Sequence, residues 1–196
     1  MQTLAPCYYT SAALATVYRT GDINLSNACV NSSANGFRLP TEAEWEKAAR
    51  GGSLCHRFPW ADTNVITWSR ANYWGDPADF SYDLSSSNTN NPAFNTGDWP
   101  YTSPAGYFAP NGYGLCDMAG NVWQWCWDWY DAAWYANAGA MQSDCRGPGV
   151  GTSGSRVLKG GSWYDYAGYA RSSYRGYNIP PTAANSNVGF RCVRGL

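Results

Sequence analysis

Hydrophobic and polar positions follow a regular period in only a few stretches of this chain, and those stretches define the expected elements. The clearest is helical. Between Thr41 and Gly51, Trp45, Ala48 and Ala49 fall on one face, so that face should pack inward. Thr41 and Glu44 stand at capping-box spacing, three glutamates occupy the first turns where the helix dipole favours them, and Gly51 follows Lys47 and Arg50 as a stop. Strands are expected at 156–159, stopped by Gly160 and Gly161, and at 188–193, where Val188, Phe190 and Cys192 are the apolar set. A shorter alternation marks 15–19. From 122 to 129, Trp123, Trp125, Trp127 and Trp129 alternate with Val122, Gln124, Cys126 and Asp128, which predicts a strand with a one-faced tryptophan ladder in the core.

Elsewhere the pattern is that of turns. Residues 85–91, rich in Ser and Asn, read as a mobile exposed loop, and 131–154 as a surface excursion rich in Ala and Gly. Residues 164–187 have neither period. They carry tyrosines at 164, 166, 169, 174 and 177 among Gly, Ser, Asn, Asp, Arg and Pro. Tyr offers large contact area at low entropic cost, and the small polar residues offer adaptable hydrogen bonds, as in antibody paratopes.

Composition narrows the classes. With 11 Trp, 15 Tyr, 21 Gly, 11 Pro and 14 % charged residues, an α+β, loop-rich fold held by aromatic packing is expected, in one domain over 1–196. A net charge of −1 gives no electrostatic case for nucleic acid, and no stretch is apolar enough to span a membrane. No leader segment is read at the start. The seven cysteines contain no C-x-x-C pair, which argues against zinc; disulfides and free buried thiols are both open. Asp62, Asn72, Asp76, Asp79 and Asp98 are scattered oxygen ligands in turns, a set better suited to calcium than to a transition metal.

Several strings in order, Phe37-Arg38-Leu39-Pro40-Thr41-Glu42, Phe58-Pro59-Trp60, Asn111-Gly112-Tyr113-Gly114-Leu115, Gly120-Asn121-Val122-Trp123, Lys159-Gly160-Gly161-Ser162-Trp163 and Val188-Gly189-Phe190-Arg191-Cys192, resemble the formylglycine-generating enzyme (sulfatase-modifying factor) family. The resemblance implies a C-type-lectin-type fold, here without the family's N-terminal strands. It also implies a redox cysteine pair that binds copper, but the two positions assigned to that pair hold Asp165 and Ala170. Neither offers a thiolate, and the lone His56 does not make an iron site, so no copper or iron is expected.

The segment between the Gly-Gly-Ser-Trp and Gly-Phe-Arg strings is similar to that of variable proteins diversified by retroelements, where asparagine codons are rewritten at adenines. Such codons do not yield Lys, Glu, Gln, Met or Trp, and residues 164–187 contain none of the five. This resemblance implies a non-catalytic surface-display protein, at the cell surface or outside the cell, binding an unidentified protein or cell-surface molecule. The expected contacts are Tyr164, Asp165, Tyr166, Gly168, Tyr169, Ser173, Tyr174, Gly176, Tyr177, Asn178, Ile179, Thr182, Ala184, Asn185 and Ser186, with Arg171 and Arg175 as braces. An enzyme of the same superfamily with an altered active site is the alternative. Two calcium sets are implied as structural cofactor sites: Asn72, Tyr73 and Asp98, and Ala119, Gly120 and Val122 with Gln124, where the family usually has Glu. Gln keeps an oxygen but loses its charge, so that second set should bind calcium weakly or not at all.

Overall fold

The computed structural model describes residues 3–21, 23–149, 154–176 and 179–194. Helix α1 (Glu42–Arg50) starts as its sequence predicts. Thr41 Oγ1 accepts from Glu44 N at 3.2 Å, and Glu44 Oε2 accepts from Thr41 N at 2.8 Å. Gly51 ends the helix with φ of 55°. The carbonyls that a helix end leaves open are taken by Asn111, whose Nδ2 donates to Ala48 O at 2.7 Å and Ala49 O at 3.1 Å. Asn111 Oδ1 in turn accepts from Tyr113 N and Leu115 N. A Cβ on Gly112 would lie 2.2 Å from Gly51 O, so the Asn111-Gly112 string and the helix stop form one joint.

The other strands are β1 (Phe37–Arg38), β2 (Trp123–Trp129), β3 (Arg156–Lys159), β4 (Val188–Gly189) and β5 (Val193–Arg194). Strand β2 is central, antiparallel to β3 on one side and parallel to β4 on the other, while β1 and β5 pair separately. Elements are few and short, and the α+β, loop-rich expectation is met. Among the described residues three apolar clusters fill the interior: one around Phe58, Ile66, Tyr73 and Ala170, one joining Trp45 and Ala49 to Cys126 and Val157, and one around Leu25, Cys29 and Trp127.

Four expectations need correction. The strand expected at 188–193 breaks between β4 and β5, because Arg191 turns inward to donate to Gln124 Oε1 at 2.6 Å and to Cys116 O at 3.0 Å. Burial of β2 is not confined to its tryptophan face: Gln124, Cys126 and Asp128, on the opposite face, are buried as well. Their face lies under α1, where Trp45 Nε1 donates to Gln124 Oε1 (2.7 Å) and Glu42 N donates to Asp128 Oδ2 (2.7 Å). Residues 15–19 contribute a single bridge, Tyr9 to Val17, instead of a strand. The 85–91 loop is packed at its ends: Ser85, Asn90 and Asn91 are buried, and Asn91 Nδ2 donates to Trp68 O and Ala71 O. All seven cysteines are free.

Burial raises the Asp128 carboxyl to about 7, with the Glu42 charge adding to the rise and the Glu42 N–H opposing it. Between about pH 4 and about pH 7 the folded chain therefore holds a proton that the unfolded chain has released. Stability should fall as pH rises through that window, by about 4 kcal/mol in total. Asp128→Asn keeps an acceptor for Glu42 N and removes the titration. Urea unfolding at about pH 5 and about pH 8 should show the wild type losing stability relative to this variant, whereas parallel profiles would contradict the assignment.

Candidate functional site

Two glycine-bearing strings position the 164–187 segment. Gly120 and Gly160 both adopt positive φ, and Gly120 N donates to Gly160 O at 2.7 Å. A Cβ on Gly120 would meet Asn72 O at 2.2 Å, so only glycine fits that approach. Next to it, Asn121 joins three loops. Its N donates to Asn72 O, its Oδ1 accepts from Ser103 N, and its carbonyl accepts from Trp163 N. Trp163 is thereby fixed and wholly buried.

Beyond Trp163 the chain folds over the start of β2. The Asp165 carboxylate accepts from Trp123 Nε1 at 2.8 Å and from the Ser162 hydroxyl, and its backbone carbonyl accepts from Trp74 N at 3.0 Å. Burial pushes the Asp165 carboxyl up, while the two side-chain donors restrain the rise. Residues 174–176 return as a partial strand, with Leu158 and Gly176 exchanging both backbone hydrogen bonds at 2.8 Å. The result is a cavity of about 240 Å³ with Trp123 and Leu158 on its floor and Asp165, Tyr169, Tyr174 and Ile179 around it. Tyr169 and Tyr174 meet edge to face at 4.8 Å, and each lies about 6 Å from Trp123. Among the described residues this lining holds no Cys, His or Lys. Its chemistry is that of contact and hydrogen bonding around one carboxyl group.

An aromatic face adjoins the cavity. Tyr164, half exposed, packs against Trp99 at 5.2 Å, Trp163 at 5.5 Å and Trp74 at 6.4 Å, and Tyr166 lies 6.2 Å from Phe80. Trp99 is itself exposed and donates through Nε1 to Ser186 Oγ at 3.3 Å. Sequence reasoning missed Trp99, Trp74 and Trp123 as members of this surface. The one available signal was an isolated tryptophan in the polar stretch 95–100.

The expected contacts separate into groups. Asp165, Tyr169, Tyr174, Gly176 and Ile179 line the cavity, and Tyr164 and Tyr166 form the outer face. Gly168 is buried under Phe80, and Gly176 is so close to Trp123 that a Cβ would sit 3.0 Å from the indole; both are framework positions. Ser173 opens to a different cavity, shared with Arg175, and Thr182, Ala184, Asn185 and Ser186 are exposed. Tyr177 and Asn178 lie outside the described residues. Arg171 Nε donates to Gly168 O at 2.7 Å, and Arg175 grips Glu42 through Nε at 2.6 Å and one terminal nitrogen at 3.0 Å. Both arginines brace the segment.

The proposed calcium positions are less well matched. Gln124 Oε1 already accepts from Trp45 and from the Arg191 guanidinium, so a cation there would face a fixed positive charge; the second set does not fit calcium. In the first set Asn72 is buried and turns its amide nitrogen to Tyr101 O, and Tyr73 O accepts from Trp68 Nε1. Asp98 is exposed and makes no hydrogen bond or ion pair to either, leaving two neutral oxygens. Among the described residues no three His, Cys, Asp or Glu cluster as metal ligands.

The sulfatase-modifying factor enzyme 1-like domain matches residues 8–196. The chain is 41 % identical over 180 residues to the formylglycine-generating enzyme of Thermomonospora curvata, covering 87 % of this chain and 54 % of that protein. Identity to the Streptomyces coelicolor formylglycine-generating enzyme is 40 % over 165 residues, covering 81 % of this chain and 46 % of that protein. The chain thus spans about half the length of these curated relatives. Among solved structures, Treponema denticola variable protein 1 superposes with a TM-score of 0.62 at 29 % identity, over 96 % of this chain and 62 % of that one.

The Arg175 brace can be tested directly. Glu42 is 1 % exposed, and without Arg175 its nearest remaining cation is Lys159 Nζ at 4.0 Å. Arg175→Ala should destabilise the protein by about 3–5 kcal/mol in denaturant unfolding, as expected for a buried carboxylate left without its main partner. A loss under about 1 kcal/mol would mean the pair contributes as a surface bridge does.

Proposed function

Because the chain belongs to the sulfatase-modifying factor enzyme 1-like family, we propose that it is a non-catalytic member in which residues 164–187 form a variable ligand-binding surface, diversified by a retroelement and displayed at the cell surface or outside the cell. The observation that carries this reading is the chemistry of the two positions that the family resemblance assigns to redox thiols. One is Asp165, its carboxylate engaged by Trp123 and Ser162; the other is Ala170, buried against Phe58 and Tyr73. The same segment supplies Tyr164, Tyr166, Tyr169 and Tyr174 to an aromatic cavity and rim. Similarity to a protein named as variable supports the reading. The ligand is a protein or cell-surface molecule. Among the described residues no helix is long and apolar enough to cross a membrane.

Calcium enters this proposal only as a weak structural brace at Asn72 and Tyr73. Chelation should then lower the melting temperature slightly without altering ligand capture.

The alternative is an enzyme of the family with a different active site, favoured by the 41 % identity to a formylglycine-generating enzyme. The two readings separate in one assay. A cysteine-containing sulfatase-type peptide, incubated with the protein and copper, should keep its thiol; appearance of the aldehyde would establish the enzymatic reading. The display reading has its own test. Sister copies of the gene should differ at 164–186 and agree elsewhere, and exchanging that region between copies should switch the bound ligand while moving the melting temperature by no more than about 2 °C. Copies that vary evenly along their length would remove the basis for diversification.

A further inference from the structure

A second cavity, of about 720 Å³, lies on the other side of the 173–176 segment, between α1 and the loops carrying Tyr113 and Tyr135. Its volume is in the range of small-molecule sites, roughly 300–1,000 Å³. The two tyrosines are 54 % and 55 % exposed, and no other ring packs on either among the described residues. Each is nevertheless held in place. Tyr113 follows the Asn111 joint, with its ring beside Gly52, where a Cβ would lie 3.3 Å away, and Tyr135 lies under the Arg175 guanidinium at 4.9 Å. A fixed aromatic ring with an open face is a stacking platform that loses little entropy when used.

The charge around this cavity is one-sided. Arg50 is engaged by Glu46, Arg175 by Glu42, and the buried Lys159 shares both acids. These three cations share two carboxylates, and Lys47, at the rim, makes no ion pair among the described residues. Lys47 therefore brings an ammonium without an ion pair to the same cavity as the two phenol rings, with Leu54, 84 % exposed, supplying apolar contact.

We propose that this cavity binds a small planar aromatic carboxylate, stacked on Tyr113 and Tyr135 with its carboxylate at Lys47. The site is distinct from the 240 Å³ cavity, although Ser173 and Arg175 of the 164–187 segment contribute to its lining.

The test uses 2-naphthoate and its neutral analogue 2-naphthylmethanol, titrated into the full chain by calorimetry. Naphthoate should bind saturably and about threefold more tightly than the alcohol, the scale of one solvent-exposed ion pair. Lys47→Met should remove that difference, and Tyr135→Leu should weaken both probes about fivefold through loss of the ring contact. Tyr174→Ala, in the other cavity, should change neither. Circular dichroism melts confirm that each variant is folded. Equal binding of the two probes by wild type, no saturation by about 5 mM, or loss through Tyr174→Ala but not Tyr135→Leu would overturn the proposal, since 5 mM already corresponds to only about 3 kcal/mol of binding free energy.

Discussion

The buried carboxylate of Glu42 is the point through which distant parts of this chain are held in register. It belongs to the first turn of α1, yet it accepts two hydrogen bonds from the Arg175 guanidinium of the C-terminal segment and lies 4.0 Å from Lys159 Nζ of β3. Lys159 is wholly buried and completes its coordination at Glu46, 3.1 Å away. Helix, strand and surface segment therefore share a network in which removing any member leaves charge in a poorly solvated place. Such a network need not add much net stability over apolar packing. What it does is exclude arrangements in which the C-terminal segment sits elsewhere, since each alternative would strand a charge.

Around that network the fold meets a problem common to loop-rich proteins: backbone groups buried outside helices and sheets still need partners. Asparagine supplies many of them here. Asn111 closes the end of α1, Asn121 joins loops at 72, 103 and 163, and Asn91 ties the 85–91 loop to the backbone at 68 and 71. A short amide offers donor and acceptor at once, so it can satisfy a carbonyl and an N–H from two different segments. Glycine permits the close approaches that bring those segments together, as at Gly112 and Gly120.

What the sequence disclosed follows from range. The capping box of Thr41 and Glu44, the stop at Gly51 and strand β3 are local, and local chemistry announces them. Features that depend on distant partners stayed hidden. Glu42 has the same sequence signature whether it is solvated near a helix dipole or paired with an arginine 133 residues away. Gln124, Cys126 and Asp128 read as the polar face of β2 until α1 is laid over them. Trp99 belongs to the aromatic surface only because Trp163 and Tyr164 approach it from another part of the chain. Of the expected binding residues, the aromatic ones were legible from composition, whereas the framework roles of Gly168 and Gly176 required knowing what lies beneath them.

Pairing of Gly176 with Leu158 extends the chain locally, and an extended chain sends successive side chains to opposite sides. Tyr174 and position 176 face the smaller cavity, whereas Ser173 and Arg175 face the larger one. Mutations at even and odd positions of this short ridge are therefore nearly uncoupled in phenotype. A lineage can explore residue 174 for one specificity without retuning the neighbouring pocket, while residue 175, bound to Glu42, and residue 176, packed on the Trp123 indole, are the sites in the ridge where drift would carry a cost to folding itself.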